Sequence, residues 1–199
     1  MSDPQPTTAA DPHVVPHVVS SAERGIFDGD EWSVQLPDPE RTRRVGQAFA
    51  AAFLDGRRSP LTVALCGEIG AGKTAFSQGV GEGLGCFEAL TSPTFALIHE
   101  IDGDPPVLHA DLYRLEPGEL LHIGFEEQLE GWPGLALVEW ADRAPDVLPL
   151  DHLELRLDLT PDGGRRLRAR GRGPRSDAAL FAWAARWMEA VDRSMGGAR

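Results

Sequence analysis

Residues 67–74 read GEIGAGKT, between the apolar run LTVALC at 61–66 and the segment KTAFSQGVGEGLG at 73–85. A short run with no polar break has the make-up of a strand buried on both faces, and the segment after the glycines is patterned as a helix closing at Gly85. Strand, glycine loop and helix in immediate succession predict an α/β fold whose site lies at the loop. Gly67, four residues, Gly72, Lys73 and Thr74 fit the phosphate-loop pattern G-x-x-x-x-G-K-[ST]. In such a loop successive backbone N–H groups turn inward to cradle phosphate oxygens at the positive end of the following helix. The lysine sharpens this reading. Of 19 basic side chains in the 199 residues, Lys73 is the only lysine. Its ammonium is a compact charge on a flexible stem, where arginine presents a rigid planar fork. Thr74 supplies a hydroxyl suited to magnesium. A glycine-rich turn without a ligand is the alternative.

Composition bounds what else the chain can be. One sizeable core is expected from 199 residues with 42% hydrophobic content. A formal charge of −12 argues against a protein that grips nucleic acid unaided. Cys66 and Cys86 show neither metal spacing nor a disulfide framework, which fits a reducing cytoplasm. No signal peptide or stretch of about 18 apolar residues is visible.

Residues 1–30 are rich in Pro, Ser, Thr and Asp and read as a disordered arm. EWSVQL (31–36) alternates as a half-buried strand, and a helix is expected from Pro39 or Glu40 to Leu54, with Val45, Ala48, Phe49 and Ala52 on one stripe. Gly79, Gly81 and Gly83 weaken the helix after the loop by about 1 kcal/mol each relative to Ala, so close packing against a sheet is expected to compensate. TFALIHEI (94–101), PVLHADLYRL (106–115) and LALV (135–138) read as strands, with helical character around LEPGEL and GFEEQL between 115 and 129. DHLELRLDL (151–159) should pair with RRLRAR (165–170) across the turn PDGG. A final amphipathic helix is expected to start at a Ser176 cap, giving a domain over 31–172 and a C-terminal helix and tail over 173–199.

A phosphate loop needs a metal and a group that prepares the attacking water. Glu139 directly follows LALV and so emerges at the carboxyl edge of a strand, where open α/β sheets bind ligands. In HADLY the period of two sets His109, Asp111 and Tyr113 on one face and Leu108, Ala110 and Leu112 on the other. Ordinary ion pairing of both acids with arginines is the competing reading. Of the scattered histidines His99, His109, His122 and His152, only His109 lies near the expected site, and a structural role suits each better than metal ligation. Arg165–Arg175 holds six arginines in a pattern that a strand with one solvated face would produce. Trp183 and Trp187, four apart, suit a core stripe. The sequence contains no asparagine, so the Asn-Lys-x-Asp element that reads guanine is absent and ATP is favoured.

GEIGAGKT, TSPTF (91–95), HADLYRL (109–115) and LVEW (137–140), in that order and at those separations, resemble the TsaE (YjeE) family over about residues 32–170. The resemblance implies a P-loop NTPase-like fold with a mixed, largely parallel sheet flanked by helices. It further implies Mg2+-dependent ATP hydrolysis in tRNA threonylcarbamoyladenosine formation, with TsaB and TsaD as partners and tRNA reached only through that complex. Carried over, Gly70, Ala71, Gly72, Lys73, Thr74 and Ala75 would hold the phosphates, while Thr74 and Glu139 serve the metal with Asp111 beside them. Ser92 or Thr94 would sense the terminal phosphate. Trp140 would lie near the nucleotide, and Thr42 and Arg165 would flank the adenine. Either Glu139 or Asp111 could orient the attacking water. A small-molecule kinase and a nucleotide-gated binding module remain rivals from other classes.

Overall fold

The computed structural model describes residues 20–56, 59–86, 90, 98–114 and 124–196. In chain order these form α1 (Ser21–Arg24), β1 (Ile26–Asp28), β2 (Glu31–Leu36), α2 (Pro39–Asp55), β3 (Leu61–Cys66) and α3 (Lys73–Leu84). There follow β4 (Ile98–Ile101), β5 (Val107–Asp111), α4 (Phe125–Gly131), β6 (Leu135–Glu139), β7 (Leu153–Leu159), β8 (Arg165–Gly171) and α5 (Pro174–Gly196). All six residues of β3 are buried because the strand lies inside the sheet with cover on both faces. The strand order is β1-β2-β8-β7-β3-β6-β5-β4. At the centre β7, β3, β6 and β5 run parallel; β4 on one side and β8, β2 and β1 on the other add antiparallel strands. The sheet is mixed, as the motifs imply.

Alternation along β3 divides the core in two. Val63 and Leu65 join α2, α3 and α5 on one face, while Ala64 and Cys66 meet Phe125 and Leu129 of α4 on the other. Helix α2 starts at Pro39, with the Asp38 carboxylate accepting the Arg41 N–H at 2.7 Å, and the expected stripe Val45, Ala48, Phe49 and Ala52 is buried. The hairpin β7–β8 pairs as its alternation predicts, Leu155 opposite Ala169 and Leu157 opposite Leu167.

Four expectations are corrected. Residues 20–30 are not an arm: Ser20 and Glu23 form a reciprocal cap on α1, and β1 extends the sheet by pairing with β2. What holds them is tertiary, since the Glu23 carbonyl accepts Trp187 Nε1–H at 2.9 Å, Arg24 pairs with Asp192, and Phe27 stacks on Phe181 at 5.3 Å. Residues 1–19 lie outside the described residues. Gly79 and Gly83 meet α2 rather than a sheet: a Cβ on Gly79 would stand 2.0 Å from the Arg43 carbonyl oxygen, and one on Gly83 2.6 Å from Ala50 Cβ. The third correction concerns the last helix, which begins at Pro174 instead of a Ser176 cap. Asp151 accepts the N–H groups of Arg175 and Ser176 at 3.0 Å each, whereas the Ser176 hydroxyl accepts from Gly173 N at 3.0 Å. Finally, the domain does not end at 172: Leu180, Trp183, Ala184, Trp187 and Val191 belong to the core of the sheet, with the two tryptophans there as expected.

Three arginines in and just after β8 are engaged locally. Arg168 pairs with Asp158 at 2.7 Å, Arg170 with Asp30 at 2.6 Å, and Arg172 with Glu154. Among the described residues no helix is long and apolar enough to cross a membrane.

Candidate nucleotide and metal site

Strand β3 ends at Cys66 and the chain turns at once through residues 67–72 into α3. Gly67 has φ +134°, and a Cβ there would stand 2.2 Å from the Leu157 carbonyl oxygen, so only glycine lets the loop leave the strand against β7. Gly72, at φ +108°, is the left-handed residue immediately before α3. The loop borders a cleft of about 460 Å³ at the carboxyl edge of the parallel strands.

The Lys73 side chain curls back into this hollow. Its Nζ donates to the carbonyls of Gly67 at 2.6 Å and Glu68 at 2.9 Å, and it lies 3.5 Å from the centroid of the Trp140 ring. Burial lowers the lysine's pKa against the raising charges of Glu139, Asp142 and Asp111. Trp140 takes φ +59°, a left-handed conformation costly for a bulky residue, as the chain leaves β6 for the turn at Ala141–Arg143. The indole thereby faces the lysine, with Tyr113 against it at 4.8 Å.

Glu139 is 1% exposed and has no arginine partner among the described residues, so it is not a surface ion pair. Thr74 Oγ1 donates to its Oε2 at 2.9 Å, and Ser77 Oγ to its Oε1 at 2.8 Å; His109 Nε2 also meets Oε1 at 2.9 Å. Burial would push this carboxyl up, but the contact with His109 and the hydroxyls of Ser77 and Thr74 outweigh it and hold the pKa below the usual range. Asp111 stands beside Glu139 in the parallel register of β5 and β6, half-buried, with Oδ1 accepting Tyr113 N–H at 3.0 Å.

Most of the residues singled out in the sequence converge. Gly70, Gly72, Lys73, Thr74 and Ala75 border the cleft, and opposite them stand Asp111, Glu139, Trp140 and Arg165. Three do not border it. Gly67 and Ala71 are buried within the loop. Thr42 is buried beside the loop, its hydroxyl donating to Asp38 O at 3.2 Å and its methyl 3.3 Å from where a Cβ on Gly72 would sit. Ser92 and Thr94 lie outside the described residues. Sequence reading passed over Pro39 and Ile69 on the cleft wall and Ser77 beneath it, while Tyr113, set on the face of Asp111, also lines the wall. Ser77 carried a usable signal: it follows Lys73 by four and so shares its helical face.

The donor set fits magnesium and a nucleotide phosphate. A hydroxyl and a carboxylate meet at 2.9 Å beside an ammonium, in a loop whose glycines leave room for oxygens against the backbone. Among the described residues no group of three or more His, Cys, Asp and Glu could hold a metal alone. Magnesium would therefore draw on Thr74, Glu139 and the phosphates together.

Comparison with known proteins agrees with this geometry. The family model described as "Threonylcarbamoyl adenosine biosynthesis protein TsaE" matches residues 36–167. The chain belongs to the TsaE family. A TsaE from Nostoc sp. (strain PCC 7120), named as a tRNA threonylcarbamoyladenosine biosynthesis protein, is 38% identical over 134 residues, covering 65% of this chain and 80% of its own. One from Streptomyces coelicolor is 40% identical over 122 residues, covering 57% and 81%. The crystal structure of Bacillus subtilis YdiB superposes with a TM-score of 0.64 at 29% identity, covering 80% of this chain and 98% of YdiB. Helix α1, strand β1 and helix α5 lie outside the region matched by the TsaE model; α5 packs on that region through the shared core, while β1 pairs with Glu31, Trp32 and Ser33, just before the match begins.

Proposed function

We propose that this TsaE-family chain binds and hydrolyses Mg-ATP as the nucleotide-dependent component of tRNA threonylcarbamoyladenosine biosynthesis, acting in the cytoplasm with TsaB- and TsaD-like partners. The observation that carries the reading is the 2.9 Å contact between Thr74 Oγ1 and Glu139 Oε2, formed where the phosphate loop meets the carboxyl end of β6. The loop amides and Lys73 bind and orient the phosphates. Lys73 would exchange its contacts with the Gly67 and Glu68 carbonyls for phosphate oxygens. Magnesium, when bound, neutralises charge on the phosphates. Thr74 and Glu139 would hold it, because one Glu139 oxygen already faces the Thr74 hydroxyl. Asp111, nearer the surface than Glu139, is the better placed of the two acids to orient a water for attack. Hydrolysis of this kind asks little covalent chemistry of the protein beyond positioning and charge stabilisation.

The test is phosphate release from labelled ATP by the purified chain, with and without Mg2+ and with and without the two partners. Turnover that is slow alone, Mg2+-dependent and raised by the partners is expected. Lys73→Arg should weaken Mg-ATP binding at least about tenfold, because the planar guanidinium does not fit the hollow that the ammonium fills. Absence of Mg-ATP binding under every condition would sink the reading. Label appearing on a metabolite in place of inorganic phosphate would make the chain a kinase.

A further inference from the structure

His109 is wholly buried, yet among the described residues one of its ring nitrogens has no partner. It lies on β5 two residues before Asp111 and therefore on the same face, one layer deeper beneath the cleft. Its Nε2 is 2.9 Å from Glu139 Oε1, while Nδ1 is shielded from solvent and meets no hydrogen-bond partner among the described residues. Burying an imidazole with one nitrogen unsatisfied costs free energy that an apolar side chain would not. The hydrogen bond to Glu139 is what offsets that cost.

Three groups converge on that carboxylate, and they are not equivalent. The Thr74 hydroxyl sits on Oε2, the oxygen proposed for the metal, and would be turned from it when a cation binds. Ser77 has one hydroxyl proton and two acceptors in reach, Glu139 Oε1 at 2.8 Å and the Lys73 carbonyl at 3.2 Å. His109 alone brings a rigid ring N–H to Oε1 from a strand that does not belong to the phosphate loop or its helix. A carboxylate held at one oxygen by a fixed donor keeps its other oxygen aimed, which is how outer partners orient metal ligands.

We propose that His109 is a positioning residue of the metal site: its Nε2–H pins Glu139 Oε1, so that Oε2 is presented to the cation beside Thr74. This rests on the Mg-ATP reading above. Nε2 must carry the proton, because only as a donor can it serve an ionised carboxylate.

Two measurements test it. In nucleotide-free protein labelled with 15N-histidine, the His109 resonances should report a protonated Nε2; a bare Nε2 overturns the proposal with no metal present. Binding of a non-hydrolysable ATP analogue is then titrated calorimetrically with and without Mg2+ for wild type, His109→Leu and His109→Gln. In His109→Leu the rise in affinity that Mg2+ confers should fall about 10- to 100-fold, with metal-free affinity unchanged. His109→Gln, whose amide N–H can reach Oε1, should restore most of it. Leu and wild type showing the same Mg2+ effect, or Leu losing metal-free and Mg2+-dependent affinity alike, makes the residue merely structural and refutes the idea. A wild type with no Mg2+-dependent binding refutes the proposed function itself, and that control separates the two failures.

Discussion

Lys73 shows how one residue can report a site before any fold is known. In a chain that places arginine at every other basic position, a lysine four residues beyond Ile69 and one beyond Gly72 calls for a local reason, and the buried hollow supplies it. His109 behaved in the opposite way. Nothing in HADLY distinguishes a histidine that packs from one that holds a carboxylate, since that depends on β6 lying next to β5. Asp151 is a third case, a lone acid before a strand that caps a helix 24 residues later. Burial would raise its pKa, but the Arg175 and Ser176 contacts prevail and lower it. A lowered carboxyl contributes stability that is present above its unfolded pKa of about 3.9 and is lost as pH falls through the folded value. Asp151→Ala should therefore cost about 1 kcal/mol near neutrality. The gap to wild type, read from urea midpoints, should narrow as pH drops below about 4; a gap independent of pH would refute the cap.

Elements were legible where their pattern was local. The phosphate-loop strand, α2, β6 and the β7–β8 hairpin follow from apolar runs, helical stripes and a glycine turn. The partner of α3 did not follow, because three glycines announce a close approach without saying to what. In the structure Gly81 faces Leu90 and the other two face α2: Gly46 of that helix faces the Phe76 carbonyl at 2.4 Å from an ideal Cβ, and Gly79 faces Arg43 in return. The two backbones meet through reciprocal glycines. Gly79→Ala should destabilise the protein by roughly 1–3 kcal/mol by overpacking, although alanine is the better helix former by about 1 kcal/mol. Gly131→Ala, at a position with nothing within 4 Å, should stay within about 0.5 kcal/mol. Chemical denaturation of the pair decides the matter, and equal effects would count against the close helix contact.

Across the whole molecule, α5 closes the face of the sheet that α2 and α3 leave open. Trp183 is its anchor: the ring packs edge-on to Trp32 at 4.9 Å and Phe49 at 5.3 Å, and Nε1 donates to the Val45 carbonyl at 2.9 Å. Trp183→Ala should cost about 3–5 kcal/mol, and a chain ending at residue 172 should fail to fold cooperatively by near-ultraviolet circular dichroism and thermal melting. A truncated chain that melts like the full one would show that the helix is dispensable. The segments outside the TsaE match thus carry structural weight in this member. The sequence by itself determined the phosphate loop, the strands that deliver Glu139 and Asp111, and the α/β plan, because glycine spacing and apolar runs act through neighbours along the chain. Only the tertiary structure decided that residues 26–28 join the sheet and that His109 and Ser77 converge on Glu139. Those outcomes depend on which strands and helices become neighbours in space, and no window of sequence contains that information.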